Sequence, residues 1–398
     1  VINKNMDLLD ASAALGKTLK LGYNDCIFCN RQKKLKVTQS YYRCYHPDCA
    51  KHGTVTDFIK EIKNCSLRDA QSFLSQSEGG SNTGWKKRID FLEKVFVCYR
   101  QAITDEVLEF LNGRGYYTAL EEIPFGFAPS SNYLQSCGFK LSALVEQGLA
   151  YPTGKEFFQN RVVFGIRDLR GNLVHLQGRS VVQEESLRWL STPTVKGVSS
   201  INNYLFEGHY YRSRENIDWL FLAEGISDGL SLIELDVPAV SCFGVQIDLC
   251  HFLNIFSKVS NLCVVLDNDR YPLLSSQNAG LYKSWTPMIY SLVELQKMLP
   301  RLHIWCCPPP NVSGVKDVND WLRQGISPTS FAEYVQSHAT KLLPFALTAL
   351  GGSWEHQPIL IKSLGDNPRQ EELELFKNCQ QSLEPDPTKY LLKAFRYV

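Results

Sequence analysis

Residues 218–228 read Asp-Trp-Leu-Phe-Leu-Ala-Glu-Gly-Ile-Ser-Asp, and residues 262–269 read Leu-Cys-Val-Val-Leu-Asp-Asn-Asp. Each stretch is a short apolar run that stops at an acidic residue and a turn. After the first, helix-forming sequence resumes across Ser227–Leu235, with Asp228 in its first turn. A third run, Leu302–Cys307, is followed by Lys316-Asp317-Val-Asn-Asp320. Strands that are apolar throughout, separated by helix-length stretches, predict a parallel sheet buried on both faces. Open sheets of this kind bind ligands at the carboxyl ends of their strands, where Glu224, Asp267 and Asp317 fall. Neighbouring strands lie about 4.8 Å apart, so Glu224 and Asp267 can face each other across one cation. Carboxylates brought together repel unless a cation sits between them, and hard oxygen ligands select Mg²⁺ or Mn²⁺. Any one of these acids alone reads as a helix N-cap or a solvated turn; three clusters after three strands point to a site.

Working outward, other apolar runs are Arg161–Ile166, Leu173–Leu176 and Ala239–Cys242. Upstream, Phe91, Leu92, Val95, Phe96 and Tyr99 stand at helical spacing. Ser75–Gly84 (SQSEGGSNTG) is polar and glycine-rich, the composition of a flexible linker. The expected organisation is multi-domain α/β. Residues 1–75 form a zinc-ribbon module, 76–85 a linker, 86–212 a mixed α+β subdomain, 213–325 the parallel-sheet subdomain and 326–398 a small helical region. A chain of 398 residues with 44% hydrophobic and 21% charged residues suffices for such cores. No stretch reaches the roughly 20 apolar residues of a membrane span, and no apolar leader opens the sequence. With 13 Cys and no secretory signal, the expectation is a reducing, cytoplasmic setting in which clustered thiols hold metal.

The clustered thiols are Cys26-x2-Cys29 and, fourteen residues on, Cys44-x4-Cys49. Two close pairs on two knuckles bring four thiolates to one tetrahedral zinc, and four protein ligands make that zinc structural. His46 and His52 stand near enough to replace Cys49 as fourth ligand. The intervening sequence alternates like a hairpin. The module is basic: residues 20–64 hold nine Lys/Arg against four Asp/Glu, although the net charge of the chain is only +1. Lys34, Tyr42 and Arg43, with Lys33, Lys36 and Tyr41, are read as an exposed face of the types that hold single-stranded DNA by phosphate contact and stacking.

Glu224-Gly-Ile-Ser-Asp228 followed by Asp267-Asn-Asp269 resembles the TOPRIM signature, a glutamate after one strand and a DxD after another. Its surroundings resemble bacterial DnaG-type primases. Residues 160–172 (NRVVFGIRDLRGN) with Gln177-Gly-Arg179 are similar to that family's "IRDxxG…GR" segment, Pro124–Pro129 to its "GFAP" and Leu190-Ser-Thr-Pro193 to its "YLNSP" loop. The cysteine module with Gly53 and Asp57-Phe58 resembles primase zinc heads. The match runs over roughly residues 20–325, in the family's order. Departures are Asn268 inside the DxD, Cys29 and the longer second knuckle, and the absence of a lysine in Asn202–Phe206; Cys29 and the longer knuckle resemble phage or mobile-element branches.

The resemblance implies a DNA-dependent RNA primase working by two-metal nucleotidyl transfer from NTPs on single-stranded DNA. In that reading Glu224 and Asp267 are the primary Mg²⁺ ligands and Asp269 and Asp317 support them. Asp228 is either a further ligand or a helix-capping acid. Arg161, Arg167 and Arg179 match the family's arginines, and Arg188 and Lys196 lie in the loop before the sheet, all expected to meet nucleotide or DNA. The C-terminal region is a candidate contact to a replicative helicase or a mobile-element replication partner. The alternatives are a TOPRIM nuclease and a non-catalytic DNA-binding adaptor.

Overall fold

The structure is a computed structural model, and it describes residues 7–38, 41–65, 70, 83–129, 132–182, 187–193, 200–268, 285–342 and 345–346. Contacts divide the chain into one unit of Val1–Lys87 with Asp248–Asn254 and a second of Arg88–Ile247 with Ile255–Val398.

In the first unit, α1 (Leu8–Ala14) precedes a four-stranded antiparallel sheet in the order β1 (Gly22–Asn24), β2 (Leu35–Val37), β3 (Tyr41–Cys44), β4 (His52–Thr54), and α2 (Val55–Lys63) follows. The expected hairpin is β2–β3, in which Leu35 pairs with Cys44 and Lys36 with Arg43. Helix α2 starts at a capping box: Thr54 accepts from the Asp57 N–H and Asp57 accepts from the Thr54 N–H. Leu8, Leu35, Val37, Tyr42, Phe58 and Ile59 form its core.

The second unit contains two sheets. The first is antiparallel, in the order β5 (Phe125–Ala128), β6 (Arg161–Arg167), β7 (Leu173–Ser180), β8 (Trp189–Ser191). Helix α3 (Thr83–Gln101) lays Leu92, Val95, Phe96 and Tyr99 against Val163, Leu173 and Leu176, the stripe its spacing predicts. A Cβ on Gly126 would come within 2.7 Å of the Tyr99 backbone, so glycine here lets α3 lie against β5. Helices α4 (Asp105–Asn112) and α5 (Thr118–Glu122) follow α3, with Arg114 and Tyr116 in the turn between them.

The second sheet has the order β10 (Ala239–Ser241), β9 (Ile217–Ala223), β11 (Val259–Val265), β12 (His303–Cys306), β13 (Thr340–Lys341). Its first four strands are parallel, and β13 is an antiparallel edge on β12. Strands β9 and β11 are buried along almost their whole length, which is why they read as unbroken apolar runs. Helix α6 (Ile226–Glu234) follows β9; α7 (Trp285–Met298), α8 (Val318–Arg323) and α9 (Pro328–His338) complete the unit.

Two expectations about organisation change. Helix α3 begins at Thr83, so the last residues of the 76–85 stretch are helical, while 76–82 lie outside the described residues. The region after 326 is not purely helical: α9 is followed by β13, whose two residues extend the sheet beside β12. Residues 347–398 lie outside the described residues.

Helix α6 ties the two sheets' subdomains together. Helix α5 has no side-chain cap of its own, and the Glu234 carboxylate at the end of α6 accepts from the N–H groups of Tyr117 (2.9 Å), Thr118 (3.2 Å) and Ala119 (2.9 Å). At the other end of α6, the Tyr116 hydroxyl donates to the Ser227 carbonyl at 3.0 Å. Glu234→Ala leaves three helix-terminal donors without their acceptor and is expected to cost about 1–3 kcal/mol of unfolding free energy. Urea denaturation checks this, with Glu234→Gln expected to retain part of the loss.

Candidate functional site

The four cysteines of the first unit converge. Cys26 and Cys49 sulfurs are 3.9 Å apart and Cys29 and Cys44 sulfurs 3.8 Å. A tetrahedral zinc with Zn–S bonds of about 2.3 Å has sulfur–sulfur edges of about 3.8 Å, whereas a disulfide would need about 2.05 Å. The donor set and spacing therefore fit zinc. Cys49 completes the group of four. His52 instead turns its Nδ1 to the Ala50 carbonyl at 2.8 Å, and His46 contributes its backbone N–H, 3.4 Å from the Cys44 sulfur.

In the second unit, one carboxylate oxygen each from Asp228, Asp267 and Asp317 lies within 4.8 Å of the others. Asp267 follows the carboxyl end of β11, Asp228 sits in the first turn of α6 just beyond β9, and Asp317 caps α8, accepting from the Asp320 N–H at 2.7 Å. Asp317 thus fills the helix-cap role that a lone acid suggests and still takes part in the cluster. Burial, then the charges of Asp317, Asp267 and Glu224, pushes the Asp228 carboxyl well above the usual range. Burial likewise raises Asp317, while Lys316 and Arg114 pull it back. Asp228 Oδ1 is buried without a hydrogen-bond partner. The oxygens span little more than twice the 2.1 Å Mg–O distance, so a hard divalent cation fits this donor set. Lys316 meets Asp267 at 2.5 Å.

Beside the acids stand two guanidiniums. Arg179, on β7, donates to the Ser227 hydroxyl at 3.2 Å and lies over the Trp189 ring at 5.3 Å. Burial, then the neighbouring charge of Arg114, pushes Arg179 down to about 10. Arg114 bonds to the Asn319 side chain. Among the described residues, neither arginine forms an ion pair within 4.0 Å. A half-buried cation without a carboxylate partner among the described residues favours an anionic ligand beside it.

The expected residues fall out as follows. Asp228, Asp267 and Asp317 come together in one group and the four cysteines in another, and Arg179 stands beside the acids. Glu224 ends β9 outside the group of three, although its charge reaches Asp228. Tyr42 is not exposed: it is fully buried against Phe28 and Phe58 at ring distances of 5.2 and 5.4 Å. Strand periodicity explains this, because Cys44 faces inward and Tyr42, two residues earlier, shares its face. Tyr41 is buried as well. Arg43 projects from the other face and stacks over Tyr45 at 5.1 Å, and Lys34 is exposed.

Arg161 is 1% exposed and spends its guanidinium on the Leu187 and Arg188 carbonyls at 2.8 and 3.0 Å. It shapes the approach to β8 instead of facing a phosphate. Arg167 pairs with Glu93 at 2.5 Å and the Gly171 carbonyl at 2.8 Å, joining the β6–β7 hairpin to α3. Arg188 is exposed, and its charge acts on Arg179. Asp269 and Lys196 lie outside the described residues. Sequence reasoning missed Arg114 and Asn319. Asn319 stood inside a quoted acidic cluster, whereas Arg114 carried no local signal.

Residues 98–207 match the family model described as the DNA primase catalytic core, N-terminal domain. Curated relatives include a DNA primase of Staphylococcus aureus, 25% identical over 306 residues, covering 67% of this chain and 50% of the relative. A Thermotoga maritima DNA primase is 23% identical over 258 residues, covering 58% and 44%. The chain thus spans about half the length of the curated relatives it matches. Among solved structures, the Aquifex aeolicus primase zinc-binding and RNA polymerase domains align at TM-score 0.57 and 17% identity, covering 98% of both chains. A DnaG primase catalytic domain bound to ssDNA aligns at 0.61 and 18%, covering 76% of this chain and 99% of that one. No helix among the described residues is long and apolar enough to cross a membrane. Residues 98–207 thus match the N-terminal part of the DNA primase catalytic core, and the chain has the fold of DnaG primase structures.

Proposed function

We propose that this chain is a DNA-dependent RNA primase that makes short primers from NTPs on single-stranded DNA. The observation that carries this reading is the convergence of Asp228, Asp267 and Asp317 beside two guanidiniums, Arg114 and Arg179, that have no carboxylate partner among the described residues. Joining nucleotides requires a 3′-hydroxyl to attack an α-phosphate while pyrophosphate leaves. Mg²⁺ or Mn²⁺ at the carboxylates supplies activation of that hydroxyl and neutralisation of phosphate charge. Asp228, Asp267 and Asp317 hold the cation, with Glu224 and Asp269 completing the proposed ligand set. Arg114 and Arg179 take the triphosphate oxygens, since they need no desolvated counter-ion removed first. Lys316, already paired with Asp267, offers that carboxylate a counter-charge beside the proposed cation position. The template partner is single-stranded DNA, and the exposed Lys34 and half-buried Arg43 of the zinc module are its proposed phosphate contacts. The domain limits 1–75, 86–212 and 213–325, a helicase contact through residues 326–398, a cytoplasmic location and a mobile-element origin stay part of this proposal.

The deciding assay gives the purified chain single-stranded DNA of mixed sequence, four NTPs and Mg²⁺ or Mn²⁺. Short labelled oligomers are expected, reduced at least about 100-fold in Asp267→Ala. Metal-dependent cutting of the template without oligomers would instead support a nuclease, and tight DNA binding alone an adaptor.

Metal analysis should find zinc retained in His46→Ala and His52→Ala but lost in Cys44→Ala and Cys49→Ala. Zinc loss should leave the second unit's melting in place, because its cores contain no cysteine ligand.

The acidic cluster also sets a pH dependence. Asp228 has a raised pKa in the fold, so between the ordinary value of about 4 and that raised value the native state binds more protons than the unfolded chain. Stability without divalent cation therefore falls as pH rises through this window, by up to about 1.4 kcal/mol per unit for one group. Asp228→Asn should be more stable than wild type in magnesium-free buffer at pH 7, and should lose the stabilisation that added Mg²⁺ gives wild type. Melting curves with and without Mg²⁺ read both effects.

A further inference from the structure

Asn319 is fully buried, two residues beyond Asp317 on α8. One side-chain amide spans three partners. Its Nδ2 donates to the Arg114 carbonyl at 3.0 Å and to the Ser231 hydroxyl at 3.1 Å, and its Oδ1 accepts from the Arg114 guanidinium. Ser231 in turn donates to the Ser227 carbonyl at 2.8 Å. The backbone N–H of Asn319 lies on the Asp228 side and lowers the pKa of that carboxyl against its burial. Arg114 is thereby held by both its main chain and its side chain, and the same residue that holds it lies beside an acid of the cation cluster.

We infer that Asn319 is a positioning residue: it fixes the Arg114 guanidinium beside the acidic cluster while keeping that position free of charge. Both properties follow from the amide. Only an amide offers a donor to the Arg114 carbonyl and the Ser231 hydroxyl together with an acceptor for the guanidinium. A carboxylate of the same shape would set an oxygen against the Arg114 carbonyl oxygen and neutralise the guanidinium. It would also add a negative charge beside Asp228 and Asp317. An alkyl side chain would leave the guanidinium free to rotate out of place. The arginine is then poised for an anionic ligand, the triphosphate on the reading proposed above, on which this inference rests.

The test uses the full chain with Asn319→Ala, Asn319→Asp, Arg114→Ala and the double variant Arg114→Ala/Asn319→Ala, beside wild type and Asp267→Ala. Three quantities are read: primer synthesis against NTP concentration, binding of a fluorescent NTP analogue, and Mn²⁺ binding by calorimetry. Asn319→Ala and Arg114→Ala should each raise KM for NTP about tenfold, the loss expected for one charge-assisted hydrogen bond. The double variant should be no worse than Arg114→Ala, and Mn²⁺ affinity should stay within about twofold of wild type in both single alanine variants. Asn319→Asp should match Arg114→Ala in KM yet bind Mn²⁺ more tightly, which a purely structural role would not produce. Additive losses in the double variant, or wild-type KM in Asn319→Ala, would overturn the inference. Should Asn319→Ala fold poorly, the near-isosteric Asn319→Asp carries the same test. An inactive wild type would count against the primase reading, while analogue binding would still decide the role of Asn319.

Discussion

Three carboxylates held within 4.8 Å of one another repel, and the second unit holds them there by backbone that does not depend on their charge. Asp267 stands at the end of a central strand paired on both sides. Asp228 is committed by the first turn of α6, and Asp317 by capping α8. Relaxing the repulsion would mean unwinding a helix end or fraying a buried strand, each of which exposes apolar surface. The sheet and its two flanking helices therefore determine where the acids can be, and the repulsion is relieved by the raised Asp228 pKa and the Lys316 pairing, as a divalent cation would also relieve it.

This arrangement also explains why the two arginines matter as a pair. Arg179 comes from the antiparallel sheet and Arg114 from the turn between two helices, so neither belongs to the element that carries an acid. Their placement depends on side-chain hydrogen bonds across the subdomains: Tyr116 and Arg179 both reach Ser227, one its carbonyl and one its hydroxyl. The segment Ser227–Asp228 is thus held from the arginine side as well as by its own helix.

What the sequence disclosed and what it hid divide along a physical line. Strands β9, β11 and β12 are buried on both faces and bounded by acids, so composition alone marks them, and the Cys26–Cys49 spacing marks a metal site for the same local reason. Tyr42 was misread although the information was present: with Cys44 fixed inward as a ligand, alternation turns Tyr42 inward too. Arg161 and Arg167 have the residue type a phosphate needs, but type does not reveal that two carbonyls and Glu93 had already taken them. Arg114 lies 205 residues from Asn319, and only the docking of subdomains brings them together. Glu224 was expected to face Asp267 across one cation, yet the acids grouped with Asp267 are Asp228 and Asp317, because the first turn of α6 carries Asp228 there.

Helix α6 carries Asp228 in its first turn and Glu234, the acceptor for α5, in its last. At 1.5 Å and 100° per residue, these two carboxylates have a fixed separation and a fixed angle about one axis. The helix therefore acts as a gauge between the acidic edge of the sheet and the subdomain that brings Arg114. Inserting or deleting a single residue in its middle would swing Glu234 away from the three N–H groups it receives, even with every side chain of the cluster intact. Length between these two positions is consequently as constrained as identity at either of them, and variation among chains built on this plan should fall in the loops that flank α6, outside the helix itself.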